Sequence, residues 1–313
     1  MKRYTGMRWV TEGFAKNALR DDTRRSIFLC DARQGGTIVV DVAGSVLDPD
    51  LGDHVCLPFH GDRERMAAAG AFTVNGLRRR TKVVIITHTD TPERTREWLA
   101  PLVPELAEAE AAGRVEIKAC AAAGGHADPR WLLGELVAAG EQAREHGHCG
   151  VYALVDAAWG VQDAVGLEGF EAAANALFGE RWLAAVCQYD RGLFSIEAAN
   201  RAAAIHPIAP GQALLRFANL CPQPGLRLSG DVDITNRQAF ASVLAQLEGV
   251  AAEVVIDATG LDFIDAGSAQ LLAVTALARM GHRTVVVCRG TVARVLRLIR
   301  ADEVVIVRRA GDV

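Results

Sequence analysis

Glu253-Val-Val-Ile-Asp257, followed by Asp262-Phe-Ile-Asp265-Ala-Gly-Ser-Ala-Gln-Leu-Leu-Ala-Val274, decides how the C-terminal third of this chain folds. The first run is short, apolar and β-branched, and reads as a buried strand. A helix is expected to start after the second Asp, because Asp265 is a good N-cap and Gly281 stands where a C-terminal glycine belongs. Leu271, Val274 and Ala278 recur at helical spacing and are expected to face the core. Ala266, Gly267 and Ser268 then occupy the first exposed turn. Free backbone N–H groups and the positive end of the helix dipole suit an anion or a partner there.

The pattern extends to both sides. Leu226-Arg-Leu-Ser-Gly-Asp-Val-Asp-Ile-Thr235 reads as a strand and a turn from Gly230 to Asp233, and Thr284 to Cys288 as another strand. Val292, Val295, Leu296 and Ile299 mark a last helix, followed by Val304 to Val307. Together these motifs resemble the STAS domain, found in anti-sigma-factor antagonists and in the cytoplasmic tails of sulphate transporters. In the antagonists an aromatic, an apolar residue and Asp precede a Ser or Thr that a partner kinase phosphorylates. Phe263, Ile264 and Asp265 match, but Ala266 stands at the hydroxyl position and Ser268 where glycine is usual. The resemblance implies a partner-docking surface of Asp231, Asp233, Asp265, Ala266, Gly267 and Ser268. The partner implied is an anti-sigma factor or related kinase-fold regulator. Ser268 reads either as an alternative phosphoacceptor or as a small helix-start residue.

At 313 residues the chain is long enough for two domains, and half its residues are hydrophobic against 23% charged, which favours a globular protein over a disordered one. A net charge of -4 gives no overall nucleic-acid footprint. No apolar run is long enough to span a bilayer and the N-terminus lacks a signal-peptide core, so a cytoplasmic location is expected. The 7 cysteines are an odd number without a CxxC and read as reduced thiols.

From Gly36 onward strands and helices alternate. Strands are expected at 37–42, 54–59, 82–87, 114–119, 151–156 and 183–188, with helices at 62–80, 92–112, 129–145, 167–178 and 196–205. The fold class is therefore α/β, a mostly parallel sheet with helices on both faces, plus a smaller C-terminal α/β domain. Residues 1–35 read as an arm or peripheral helix, 36–207 as the first domain, 208–225 as a proline-rich linker with the first strand of the second, and 226–313 as the second domain.

His54-Val-Cys-Leu-Pro-Phe-His60-Gly-Asp62 and the helix after it, with Cys187-Gln-Tyr-Asp190, Phe194 and His206-Pro207, resemble the MEDS domain, a sensory module of methanogen and methylotroph regulators. That family is similar to the RecA-like ATPases of circadian-clock type. The lysine, glycines and hydroxyl of a phosphate loop are missing, and Phe59-His-Gly-Asp-Arg-Glu64 stands in their place. Ligands of parallel sheets bind at the carboxyl ends of the strands, which nominates His60, Asp62, His88, Asp156, Trp159, Tyr189 and Asp190. Trp159 and Tyr189 read equally as a pocket wall or as aromatics filling a domain edge. His54, Cys56 and His60, and separately His146, His148 and Cys149, are of zinc-ligand type but read instead as core thiols and surface histidines. No catalytic nucleophile, metal or cofactor is expected. The sequence therefore points to a signalling protein, a sensory domain coupled to a partner-binding domain with a site that cannot be phosphorylated at Ala266. The rival readings are a RecA-like nucleotide-binding protein or ATPase, and a ligand-binding scaffold unrelated to sigma factors.

Overall fold

Continuous apolar runs become strands buried on both faces. A computed structural model describes residues 27–30, 37–40, 46–120, 127–209, 213–279 and 281–311. In chain order the first elements are β1 (Ile27–Cys30), β2 (Thr37–Val40), β3 (His54–Phe59), α1 (Gly61–Arg78), β4 (Lys82–Thr87), α2 (Pro92–Leu99), α3 (Leu106–Ala111) and β5 (Val115–Ala119). There follow α4 (Pro129–Glu145), β6 (Val151–Asp156), α5 (Ala164–Phe178), β7 (Leu183–Asp190) and α6 (Ile196–Ile205). Five of these strands form one parallel sheet in the order β3-β7-β6-β4-β5. Every residue of β4 and β6 is buried, because crossover helices cover both sides. Val55, Leu57, Val83, Ile85 and Leu154 face α1, α2 and α3, while Cys56, Val84, Ile86, Val155 and Cys187 face α4, α5 and α6. Phe72 and Phe170, one on each side, are essentially fully buried, each worth about 1.5–3 kcal/mol of transfer free energy.

The second domain follows as β8 (Leu215–Asn219), β9 (Gly225–Val232), α7 (Arg237–Ala245), β10 (Val254–Ile264), α8 (Ala266–Ala278), β11 (Thr284–Cys288), α9 (Gly290–Leu298) and β12 (Ile306–Arg309). Its sheet runs β12-β11-β10-β9-β8, parallel except for the antiparallel β8–β9 pair.

Four expectations need correction. The helix expected over 92–112 is two, α2 and α3, since Pro101 and Pro104 interrupt the ladder between them. The expected N-terminal arm contains β1, which pairs antiparallel with β2 in a small sheet of its own; residues 1–26 lie outside the described ones. The strand expected at 253–257 continues to Ile264, with irregular register against β9 near Asp257 and Leu261. In α8 the core-facing residues are Ser268, Ala269, Leu272, Thr275 and Ala276, whereas Val274 and Leu277 point outward. Nearly every residue of α8 is apolar or small, so the apolar period alone does not set its phase, and the small side chains let the helix lie close to the sheet.

The expected linker is largely ordered. Ile208 pairs in parallel with Val55 and so shields the outer edge of β3. Arg216 on β8 reaches back to Asp53, with Nε–Oδ1 at 3.0 Å and Nη2–Oδ2 at 3.4 Å, and the Asp53 carboxylate is fully buried. Asn219 donates twice, from its amide to Gly179 O and from Nδ2 to Glu180 Oε1. Helix α7 packs on α5 and α6, so one apolar core runs from β3 to Val305. Arg216→Ala strands a buried carboxylate. It is expected to cost about 2–4 kcal/mol in urea unfolding, somewhat under the roughly 3–5 of a fully buried pair because the Arg216 side chain is 24% exposed.

Candidate functional site

Three places bring functional side chains together. At the carboxyl ends of β3, β4 and β6, Asp156 is used up by backbone amides. Its Oδ2 accepts from the amides of His88 (3.1 Å) and Thr89 (2.6 Å), and its Oδ1 from Ala158 (3.0 Å), which ties the loop after β4 to the end of β6. Arg65, buried on α1, bonds Asp90 at 2.7 Å and Asp62 at 2.9 Å and stacks 5.3 Å from the Trp98 ring centroid. Trp98 Nε1 donates to Asp90 as well, at 3.0 Å. Burial works to raise the Asp90 carboxyl, but the bonds and charge of Arg65, with Trp98 and Arg94, outweigh it and hold it below the usual range. The space among Arg65, Thr87, Trp98, Asp156 and Gln188 is about 10 Å³, room for one water at most.

The turn into α1 is equally occupied. Gly61 takes φ +71°, a left-handed conformation that glycine adopts freely, and the His60 amide donates to Glu64 Oε2 at 2.7 Å. A carboxylate of the helix itself sits at the N-terminus where a phosphate would have to lie. His60 and Asp62 are exposed there, and the Asp190 carboxylate accepts from the Gly192 amide in a turn.

Trp159 and Tyr189 belong elsewhere. Both are buried on the opposite side of the sheet, among α5 and α6, Trp159 edge-on to Phe170. The seven nominated ligand residues thus do not line one crevice. They divide between the two faces of the sheet, because side chains alternate along a strand. Tyr189 donates to Glu171 Oε1 at 2.6 Å, and Glu171 is the hub of a dry polar cluster with His54, Cys187 and His206. Its Oε2 lies 3.1 Å from His54 Nε2, 3.4 Å from His206 Nε2 and 3.5 Å from Cys187 Sγ. Burial pushes the Glu171 carboxyl up, yet the neighbouring His206 and His54 rings prevail and hold it far below its ordinary value. Burial, then Glu171 and Cys56, push the Cys187 thiol well up. His54 shares a face with Cys56 but converges with these partners and not with His60. Among the described residues no other group of metal-ligand side chains converges.

The third place is the start of α8. Asp265 caps it as expected, accepting from the Ser268 amide at 2.6 Å, and Arg237 of α7 holds the other carboxylate oxygen at 2.6 Å. Burial raises the Asp265 carboxyl, while Ser268 and Arg237 lower it further, below the usual range. A Cβ at Gly267 would lie 2.6 Å from the Arg237 guanidinium carbon, so any larger residue there has to displace the tip of Arg237. Ala266 is exposed and Gly267 half-buried, but Ser268 is fully buried, which corrects its placement on an exposed turn. Asp231 is exposed, and Asp233 is half-buried with its carboxylate engaged by Thr235.

Two family models match the chain. One, described as the MEthanogen/methylotroph, DcmR Sensory domain (MEDS), covers residues 53–207, and the other, described as Mlab, STAS domain, covers 221–308. The chain carries a MEDS domain followed by a STAS domain. A search of the curated proteins finds no match. Among solved structures it is similar to a KaiC-like protein from the hyperthermophilic archaeon Pyrococcus horikoshii OT3, at 11% identity and a TM-score of 0.40, over 58% of this chain and 79% of that one. No helix among the described residues is long and apolar enough to cross a membrane.

Within the MEDS domain, the two separated motifs around His54 and Cys187 to His206 meet in space at Glu171, which no sequence signal marks inside an alanine-rich helix. Arg65, which fills the strand-end crevice of the same domain, was also missed; Asp62 at i−3 was its one local cue. Asp90→Asn is expected to cost about 1.5–3 kcal/mol at pH 7. Because the folded carboxyl titrates below the unfolded value of about 3.9, the native stabilisation is complete above that pH and fades as pH falls through the folded value. Urea unfolding of both proteins should therefore converge under acid.

Proposed function

We propose that this signalling protein works as an adaptor: the MEDS domain senses, and the STAS domain docks a kinase-fold regulator of the anti-sigma type without itself being a phosphoacceptor. The chain makes and breaks no bond of its own in this reading. The observation that carries it is the outer face of α8. Ala266, Gln270, Val274 and Leu277 fall at i, i+4, i+8 and i+11 and are all exposed, with Val274 at 54% and Leu277 at 61%. Aliphatic side chains aligned on the outside of a helix suit a partner surface. The stripe begins at the residue that, in the resembled antagonists, carries the phosphate. Here that residue is Ala266, and the nearby hydroxyl, Ser268, is buried beside Arg237.

Two outcomes test this with the full chain. A kinase-fold regulator from the same cell should co-purify with the native protein, and Val274→Asp with Leu277→Asp should abolish retention while leaving the circular dichroism unchanged. Undiminished retention, or no such regulator retained at all, contradicts the reading. With that regulator and ATP the native chain should take up no phosphate, whereas Ala266→Ser, at an exposed helix start, should become labelled; labelling of the native chain at Ser268 would overturn the phosphate-independent account.

A further inference from the structure

His54 opens β3, Glu171 lies midway along α5, Cys187 lies on β7 and His206 ends α6. All four are buried, and one ligand atom from each lies within 4.8 Å of every other. The separations have a definite form. A tetrahedral zinc with Zn–N about 2.0–2.1 Å, Zn–O about 2.0–2.2 Å and Zn–S about 2.3 Å needs N–O spacings of about 3.3 Å and S–N and S–O spacings of about 3.5 Å. The N–O pairs are 3.1 and 3.4 Å, and Cys187 Sγ is 3.5 Å from Glu171 Oε2 and 3.6 Å from His54 Nε2.

The surroundings orient each ligand. Asn175 Nδ2 donates to Ile205 O at 3.0 Å, which turns its Oδ1 toward His54 Nδ1, also at 3.0 Å. His54 Nδ1 is therefore the donor. His206 Nδ1 donates to Ala202 O at 2.7 Å. Both rings present Nε2 to the centre, and His206 Nε2 is fully buried without a hydrogen bond. Two imidazole nitrogens and a carboxylate oxygen thus converge on one point, an arrangement that a bound cation satisfies. Tyr189 holds the outer oxygen of Glu171, and Phe178 stacks on His54 at 4.5 Å, completing a dry shell of the kind that fixes metal ligands.

We propose that His54, Glu171, Cys187 and His206 form a closed tetrahedral zinc site in the core of the MEDS domain. Binding replaces the Cys187 S–H bond with S–Zn and releases that proton to solvent, together with any proton held on the Nε2 of His54 or His206, since zinc takes the neutral imidazole. The thiolate and the carboxylate then balance the 2+ ion, so the buried centre is neutral. Four protein ligands leave no position for substrate, which makes the site structural or sensory and not catalytic. The proposal is independent of the partner reading for the STAS domain.

The test uses the full chain, stripped with chelator and titrated with zinc and, as a spectroscopic probe, Co²⁺. One equivalent should bind, with the intense d–d bands of tetrahedral cobalt and a near-ultraviolet thiolate charge-transfer band, and the melting temperature should rise with free zinc. Cys187→Ser, nearly isosteric, should lose the charge-transfer band, and Asn175→Ala, which leaves the ligand set intact, should weaken affinity about 10–100-fold. A folded native protein that binds neither metal, or binds cobalt only with weak octahedral bands, makes the cluster a network held by protons and overturns the assignment. A charge-transfer band that survives in Cys187→Ser places the metal on another thiol and overturns it equally.

Discussion

Glu171 is a carboxylate that no water reaches, and much of the MEDS domain is arranged to satisfy it. An unpaired buried charge costs several kcal/mol even after relaxation, so the side chain needs compensation from every direction. It takes that from the start of β3, the middle of β7 and the end of α6, elements far apart in sequence. The cluster therefore fixes where α5 lies on the sheet and where α6 must stop. Immediately after His206 the chain turns and Ile208 bonds to β3, so the exit toward the second domain leaves from the same point.

This placement gives the two domains a mechanical connection. The STAS helix α7 rests on α5 and α6, the two helices that contribute Glu171 and lead into His206. The same α7 begins with Arg237, whose guanidinium spans Gly267 to reach Asp265 at the start of α8. A physical path of packed and bonded groups therefore runs from the buried cluster through α5 and α7 to the exposed end of α8. The Asp53–Arg216 pair and the Asn219 bonds clamp the domains along a second line.

Much of the architecture was legible because it rests on local rules. The β-branched runs at Lys82–Thr87 and Val151–Asp156, Asp265 as a cap, and the proline that opens α2 each say where an element begins. What stayed hidden depends on three-dimensional choices. The phase of α8 was not readable, since Leu271, Leu272 and Val274 are all apolar and only packing decides which turns inward. Asp156 looked available until the loop after β4 brought two amides onto it. The histidines and cysteines were visible, but their grouping was not, because Glu171 sits among alanines and the cluster joins residues more than a hundred positions apart.

The connection between domains is tested most directly by amide hydrogen exchange on the full chain with Glu171→Gln, which keeps the side-chain shape and removes the charge. The account predicts faster exchange in Arg237–Ala245 of the STAS domain as well as in α5. Loosening confined to α5 and α6, with α7 exchanging as in the native protein, would contradict it.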